Sequence, residues 1–199
     1  VAHVLEDFDR TVQVAAETPL PLGSGFGVSG AMALGAALGA NALPENPRSA
    51  NDLVRLAHVA EVEAGTGLGD VVGQARGGVP IRLEPGPPGV GELDGVPAAG
   101  RVEYLALGEL DTEEVITGDT AALSAAGEES LRALRSTPTL EEFVRASRRF
   151  AREAGVVTPR VREVLDDVRD AGGRAAMAML GETVFALGTG LSDAGYDPE

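Results

Sequence analysis

Residues Pro21-Leu-Gly-Ser-Gly-Phe-Gly-Val-Ser-Gly-Ala31 place four glycines immediately before an alanine-rich segment with helical spacing. Because glycine has no side chain, successive backbone N–H groups of such a loop can approach phosphate oxygens. The amino terminus of the following helix adds about half a positive charge at the same place. The stretch therefore predicts either an anion-binding loop or a series of tight turns, and the spacing alone leaves both open.

The loop differs from the two common phosphate-binding fingerprints. It lacks the Gly-Lys-Ser/Thr ending of a P-loop, and its glycine spacing departs from the dinucleotide-binding pattern. The sequence that follows shows no alternation of strands and helices typical of βαβ units. Both of these nucleotide-binding classes are therefore excluded.

Composition narrows the classes of partner. The chain has 199 residues, enough for one large or two small domains, with 31 acidic and 16 basic side chains and a formal net charge of −15. It has no basic stripe to neutralise a nucleic-acid backbone, and an anionic membrane would repel it. All its basic residues are arginine, which resembles proteins of salt-loving organisms, so we expect stability to fall when salt is removed.

Cysteine is absent and only two histidines occur, which excludes disulfides, thiolate nucleophiles and metal sites built from cysteine or several histidines. The reducing cytoplasm is the expected location of such a chain. The longest apolar run, residues 28–40, is shorter than the roughly 20 residues that cross a bilayer. It therefore predicts no membrane span.

The first half of the chain is predicted to contain strands, glycine loops and helices. A strand is expected at 11–15, ahead of the glycine loop, because apolar and polar residues alternate there. A helix is expected at 49–65, with Ser49 or Asn51 as its N-cap. A second glycine loop follows this helix directly.

A strand is predicted at 79–84, where alternation turns Ile81 inward and Arg82 to the opposite face. Residues 85–100 are rich in proline and glycine and form our candidate hinge between domains. Beyond them the pattern predicts one strand, three helices and two strands, at 101–107, 119–135, 140–154, 159–171, 174–180 and 183–187. The apolar stripes of the second and third of these helices belong either to the core or to a homodimer interface.

The first glycine segment resembles the central motif of the GHMP kinases, Pro-x-Gly-x-Gly-Leu-Gly-Ser-Ser-Ala. Phe26 replaces the leucine of that motif, and Val28 replaces the first of its two serines. That serine often helps to hold magnesium in the family, so the resemblance gives its role to Ser29. The residues that the resemblance assigns to ATP binding are Pro21, Gly23, Ser24, Gly25, Gly27, Ser29 and Gly30.

A second segment, Ala57-His-Val-Ala-Glu-Val-Glu-Ala-Gly-Thr-Gly-Leu-Gly-Asp70, resembles the acidic helix and catalytic-aspartate segment of the same family. Its residues are most similar to those of the same segment in the archaeal pantoate kinases. The resemblance implies that Glu61 and Ser29 bind Mg²⁺ and that Asp70 orients or deprotonates the acceptor hydroxyl. Helical spacing favours Glu61 over Glu63, because the two side chains point about 160° apart.

Three further residues are candidates for binding the acceptor. His58 shares a helix face with Glu61, and Arg82 can bind a small carboxylate through two N–H groups. A surface or capped histidine is the alternative interpretation of His58. Thr112 is also a candidate, and its alternative is a simple N-cap before two glutamates.

We therefore expect an α+β GHMP kinase fold with two lobes, each a mixed or antiparallel sheet packed with helices. Residues 1–98 would form the rest of an amino-terminal ATP-binding lobe, and residues 99–199 the carboxy-terminal lobe. The first motif of the family has no counterpart here, so we expect the amino-terminal part of the fold to be missing. The third motif is echoed only at 176–183, where methionines replace glycines and a buried strand is predicted.

The expected reaction transfers phosphate from ATP, with Mg²⁺, to the hydroxyl of pantoate, giving 4-phosphopantoate on the way to coenzyme A. One alternative is a GHMP kinase for homoserine, mevalonate or a sugar. Another is a noncatalytic nucleotide-binding or regulatory protein of the same fold, which the substitution at Val28 favours and the presence of Glu61 and Asp70 disfavours.

Overall fold

The computed structural model describes the chain in five ranges: 1–8, 12–42, 47–108, 121–179 and 181–199. The chain divides into two compact units. The first comprises Val1–Leu22 and Gly27–Gly95, and the second comprises Gly23–Phe26 and Val96–Glu199. No described helix is long and apolar enough to cross a membrane.

The first unit consists of helices and one two-stranded sheet around a core of alanine and valine. Helices α1 to α4 and strands β1 and β2 are, in chain order, Ala2–Glu6, Val28–Asn41, Ala50–Glu63, Asp70–Arg76, Val79–Glu84 and Glu92–Val96. Helix α2 packs on α3, where Ala33, Ala37 and Ala57 are fully buried. Because these side chains are small, the two helices can approach closely without aromatic residues between them.

The helix and strand predicted around the second glycine loop are confirmed. Ser49, rather than Asn51, is the N-cap of α3, because its Oγ accepts a hydrogen bond from the backbone N–H of Asp52 at 3.2 Å. In β1, Ile81 is only 3% exposed and packs inward. Sequence periodicity therefore placed the two elements that carry His58, Glu61 and Arg82.

One prediction in the first unit fails. Residues 12–15 form no strand, and residue 11 lies outside the described ranges. Val14 is 44% exposed, so the alternating residues have no core to face, and a strand also needs a neighbour to pair with. The boundary between the two compact units, at Gly95 and Val96, lies within the candidate hinge at 85–100. Part of that segment was not expected to have regular structure but forms strand β2, which pairs with β1.

The second unit is a three-stranded antiparallel sheet covered by helices. Strands β3, β4 and β5 are Val102–Gly108, Ala175–Ala178 and Glu182–Leu187, and helices α5 to α8 are Ala121–Ser136, Leu140–Glu153, Pro159–Asp170 and Gly190–Asp193. The strand order is β3-β5-β4, with Phe185 opposite both Tyr104 and Ala176. The α+β class predicted from the sequence is confirmed.

The apolar stripes of α6 and α7 are core. Val144, Ala151, Val161 and Val168 are all almost fully buried, and most of this stripe belongs to one cluster with the sheet. Within the described residues the stripes therefore give no argument for a homodimer. Thr112, the third candidate for acceptor binding, lies outside the described ranges.

The first half of the glycine loop is part of the second unit. A Cβ atom on Gly181 would lie 2.0 Å from the carbonyl carbon of Ser24, so the two backbones touch and no side chain fits at 181. The ring of Phe26 meets the ring of Tyr104 edge-on, with centroids 4.8 Å apart. Met177 is buried in β4, as predicted, but Met179 lies beyond the end of that strand, so only part of the segment that resembles the third family motif is a buried strand.

Candidate active site

The first unit brings together residues that are widely separated in the sequence. Ser29 lies in the first turn of α2, Glu61 in the last turn of α3, and Asp70 at the start of α4. The Ser29 hydroxyl donates a hydrogen bond to Oε2 of Glu61 at 2.7 Å. From α4, the Gln74 amide donates to the carbonyl of Gly27 at 2.8 Å. These two bonds tie the start of α2 to α3 and α4.

Gly27 is the N-cap of α2 and lies directly against Asp70. Its φ of 62° is left-handed, and a Cβ atom there would lie 2.7 Å from the Cβ of Asp70, so only glycine fits. No side chain of the described residues caps this helix. The N–H groups of its first turn are thus available to an anion placed beside Asp70.

Gly67 leaves room between the two candidate carboxylates. A Cβ atom at this position would lie 2.9 Å from Oδ2 of Asp70 and 3.1 Å from Oε2 of Glu61. Both side chains therefore direct an oxygen toward the same small space. Glu61 is 6% exposed, whereas Glu63 is exposed to solvent, as helical spacing predicted.

The surroundings of Asp70 favour its protonated form. The enclosing protein raises the pKa of the carboxyl above its usual value even though the residue retains exposed surface, and the charge of Glu61 raises it further. A hydrogen bond from its own backbone and the nearby charge of Arg82 oppose this rise. A carboxylate with a raised pKa is a stronger base than ordinary aspartate, which suits proton abstraction.

His58 and Arg82 leave polar atoms without partners. His58 is 6% exposed, and its burial together with the charge of Arg82 lowers the pKa of the imidazole, so the ring is neutral at pH 7. Among the described residues, His58 Nδ1 and the Nε and Nη2 atoms of Arg82 have no hydrogen-bond partner. Nη1 of Arg82 donates to the carbonyl of Leu68 at 2.7 Å. Buried donors without partners are rare and are expected where a ligand supplies the acceptor.

The residues that could hold Mg²⁺ are Ser29 and Glu61. The described residues contain no cluster of three or more acidic or histidine side chains suited to a metal. Mg²⁺ often takes only one or two carboxylates from the protein and its other ligands from phosphates and water. Two hard oxygen donors held 2.7 Å apart beside a helix amino terminus fit that requirement.

The structure divides the predicted site residues into two groups. Those of the first unit come together around the space left by Gly67, namely Gly27, Ser29, Gly30, His58, Glu61, Asp70 and Arg82. Pro21 is exposed, and Gly23, Ser24 and Gly25 belong to the second unit. Sequence reasoning gave no role to Gln74, whose position one helical turn after Asp70 was the available signal.

Comparisons with known proteins identify the family of the chain. The family described as GHMP kinases N terminal domain matches residues 1–78, and the family described as GHMP kinases C terminal matches residues 129–195. A pantoate kinase of Methanocaldococcus jannaschii is 35% identical over 184 residues, covering 92% of this chain and 65% of the relative. A pantoate kinase of Thermococcus kodakarensis is 37% identical over 191 residues, covering 92% and 62%.

Two solved structures resemble the chain. One, described as a phosphotransferase related to the CoA biosynthesis pathway, has a TM-score of 0.78 and 31% identity over 89% of this chain and 59% of its own. A homoserine kinase from Cytophaga hutchinsonii has a TM-score of 0.60, covering 89% and 60%, but at 20% identity it supports the fold alone. The chain spans less than two thirds of the length of these curated relatives and solved structures.

Proposed function

This chain belongs to the GHMP kinase family, and from that premise we propose that it phosphorylates the hydroxyl of pantoate with ATP. The observation that carries the proposal is the pair Asp70 and Glu61, which face one another across Gly67 beside the uncapped start of α2. That arrangement offers a base, a metal-binding carboxylate and an anion-binding helix end in one place. The names of the similar pantoate kinases support the choice of acceptor.

The N–H groups at the start of α2 would bind the phosphates of ATP. Ser29 and Glu61 would hold Mg²⁺, which when bound neutralises charge on the phosphates. Pro21, together with Gly23, Ser24 and Gly25 of the second unit, is assigned to ATP by the family resemblance alone. We further assign residues 1–98 to an ATP-binding lobe and residues 99–199 to the carboxy-terminal lobe.

Asp70 would accept the proton of the acceptor hydroxyl. The hydroxyl oxygen attacks the terminal phosphorus, the bond from that phosphorus to the bridging oxygen breaks, and ADP leaves with the electron pair. The acceptor carboxylate would bind to the unpartnered donors of Arg82, and neutral His58 would hydrogen-bond a hydroxyl or carboxylate oxygen. A carboxylated acceptor is thereby favoured over a sugar.

Composition supports two further parts of the proposal. The absence of cysteine and the use of ATP fit a cytoplasmic enzyme. The net charge of −15, with arginine as the only basic residue, fits a protein that works at high salt.

The proposal is tested by measuring ADP release from Mg-ATP in molar potassium chloride, with pantoate, homoserine and mevalonate offered separately. Turnover with pantoate alone is expected. Turnover with another acceptor would keep the kinase assignment and replace the substrate. ATP binding without any turnover would favour the noncatalytic alternative, and Asp70→Asn serves as the inactive reference.

A further inference from the structure

One cavity in the second unit concentrates positive charge in a strongly acidic chain. It lies between α6 and α7, has a volume of about 540 Å³, and is lined by six of the chain's 16 basic residues. The lining arginines are Arg145, Arg148, Arg149, Arg152, Arg162 and Arg169. None of them belongs to the candidate active site, so the proposed kinase activity leaves this charge unexplained.

Ion pairs within and between the two helices neutralise only part of this positive charge. Arg145 pairs with Glu142 at 2.6 Å, and Arg148 pairs with Asp166 at 2.9 Å. Arg152 and Arg169 also have carboxylate neighbours, the latter in two directions. Four of the six arginines are therefore at least partly neutralised by the protein itself.

Arg149 and Arg162 differ from these four arginines in their charge environment. Within the described residues neither has a carboxylate within ion-pair distance. Nε of Arg149 is buried without a hydrogen-bond partner, and its Nη2 reaches only the carbonyl of Glu129, at 3.4 Å. A buried guanidinium N–H without an acceptor is unfavourable unless a ligand completes it, and the planar guanidinium matches phosphate oxygens in pairs.

The rest of the cavity wall is apolar apart from Asp166, whose carboxylate pairs with Arg148 and Arg169. Val157 and Leu165 contribute side chains, and the arginine stems add methylene groups. A cavity of this volume lies within the range that encloses a small organic ligand. The wall therefore suits a ligand that has an apolar or planar part beside its negative charges, rather than a bare inorganic anion.

We propose that the cavity between α6 and α7 is a second anion site that binds a small organic polyphosphate. Its phosphates contact Arg149 and Arg162, and its apolar part lies against Val157 and Leu165. An acidic surface of a second macromolecule is the other occupant of matching charge. The small ligand is favoured because Arg149 and Arg162 line a cavity of about 540 Å³ rather than a flat face of the protein.

The test is calorimetric titration of the full chain with ADP and, separately, with inorganic pyrophosphate, without Mg²⁺ and at the lowest salt that keeps the protein folded. Low salt matters because screening weakens phosphate binding. The unsubstituted chain is expected to bind ADP at a site that the double variant Arg149→Gln, Arg162→Gln weakens about tenfold or more. Pyrophosphate should bind this site more weakly than ADP, because it leaves the apolar wall uncovered.

Arg135→Gln is the matched control, since Arg135 is exposed on α5, lies outside the cavity and loses the same charge. It should leave ADP binding unchanged, as should Asp70→Asn at this second site. Arg162→Gln alone, at an exposed position, gives a milder variant if the double variant unfolds, and a several-fold loss is expected. Equal effects of Arg135→Gln and Arg162→Gln, or unchanged ADP binding in both arginine variants, would overturn the proposal. If the arginine variants keep ADP binding but lose self-association in sedimentation, the proposal is also overturned, and the cavity is assigned to a macromolecular partner.

Discussion

Asp70 is the single residue whose substitution should separate chemistry from binding. In Asp70→Asn we expect turnover to fall about 10²- to 10⁴-fold, the usual contribution of a general base, while the dissociation constant of ATP stays within about twofold. Initial rates and equilibrium binding measure the two quantities. Glu63→Gln removes an exposed carboxylate from the same part of the chain and should leave both unchanged. Equal losses of turnover and ATP affinity in Asp70→Asn would contradict the assigned role.

The raised pKa of Asp70 also predicts how stability depends on pH. Because burial and Glu61 raise the pKa in the folded state, the ionised carboxylate destabilises the fold at pH 7. Asp70→Asn should therefore have the higher thermal midpoint at pH 7. As pH falls through the raised pKa toward the unfolded value of about 3.9, the original chain binds a proton and the difference should shrink. Thermal unfolding at a series of pH values measures it, and a difference that widens at low pH would refute the prediction.

A methyl group at position 67 should damage the site without damaging the fold. In Gly67→Ala the new Cβ would crowd Oδ2 of Asp70 and Oε2 of Glu61, so we expect at least about a tenfold loss of turnover. Gly35→Ala is the matched control, because Gly35 lies in α2 with nothing within 4 Å of its Cβ position. That variant should keep full activity and gain up to about 1 kcal/mol in the free energy of unfolding. Initial rates measure the turnover of both variants, and urea unfolding measures their free energy of unfolding.

Helical spacing was sufficient to choose Glu61 over Glu63, because the direction of a side chain follows from the geometry of one element. The hydrogen bond from Gln74 to the carbonyl of Gly27 could not be anticipated in the same way. It joins two elements whose packing depends on the whole unit. The role of Gly67 is similar, since the sequence shows a glycine loop but not which two carboxylates it separates.

Among the elements, α3 carries two of the site residues and depends on its N-cap. Ser49→Ala removes the acceptor for the N–H of Asp52 and should lower the free energy of unfolding by about 1 kcal/mol. Asn51→Ala, two residues later and exposed, should change it by less than about 0.5 kcal/mol. Urea unfolding of the two variants gives the comparison. A larger loss in Asn51→Ala than in Ser49→Ala would show that Ser49 is not the residue that caps the helix.

The elements that sequence patterns predicted well are those with strong local signals. Helices α3, α6 and α7 have hydroxyl caps and apolar stripes, and the structure has them within a few residues of the prediction. Alternation at 11–15 misled because a strand is stable only beside a partner, which no local pattern reveals. Strand β2 was hidden by the prolines and glycines around it, and it forms because β1 lies next to it.

For the whole molecule, net charge predicts the response to salt. A net charge of −15 makes the folded chain repel itself, and the Debye length shortens from about 10 Å at 0.1 M salt to about 3 Å at 1 M. The thermal midpoint should therefore rise with potassium chloride across this range. An uncharged osmolyte at equal osmolality is the control and should raise it less. A midpoint that does not change with salt would show that surface repulsion is unimportant to this fold.

The backbone contact between Ser24 and Gly181 joins two segments from opposite parts of the chain. A ribosome releases residues 23–26 long before the strands that follow, and contacts between distant segments form late in folding. The first half of the glycine loop therefore reaches its final conformation only after β4 and β5 have been synthesised. We expect a nucleotide that requires this conformation to bind the chain after synthesis and not during it.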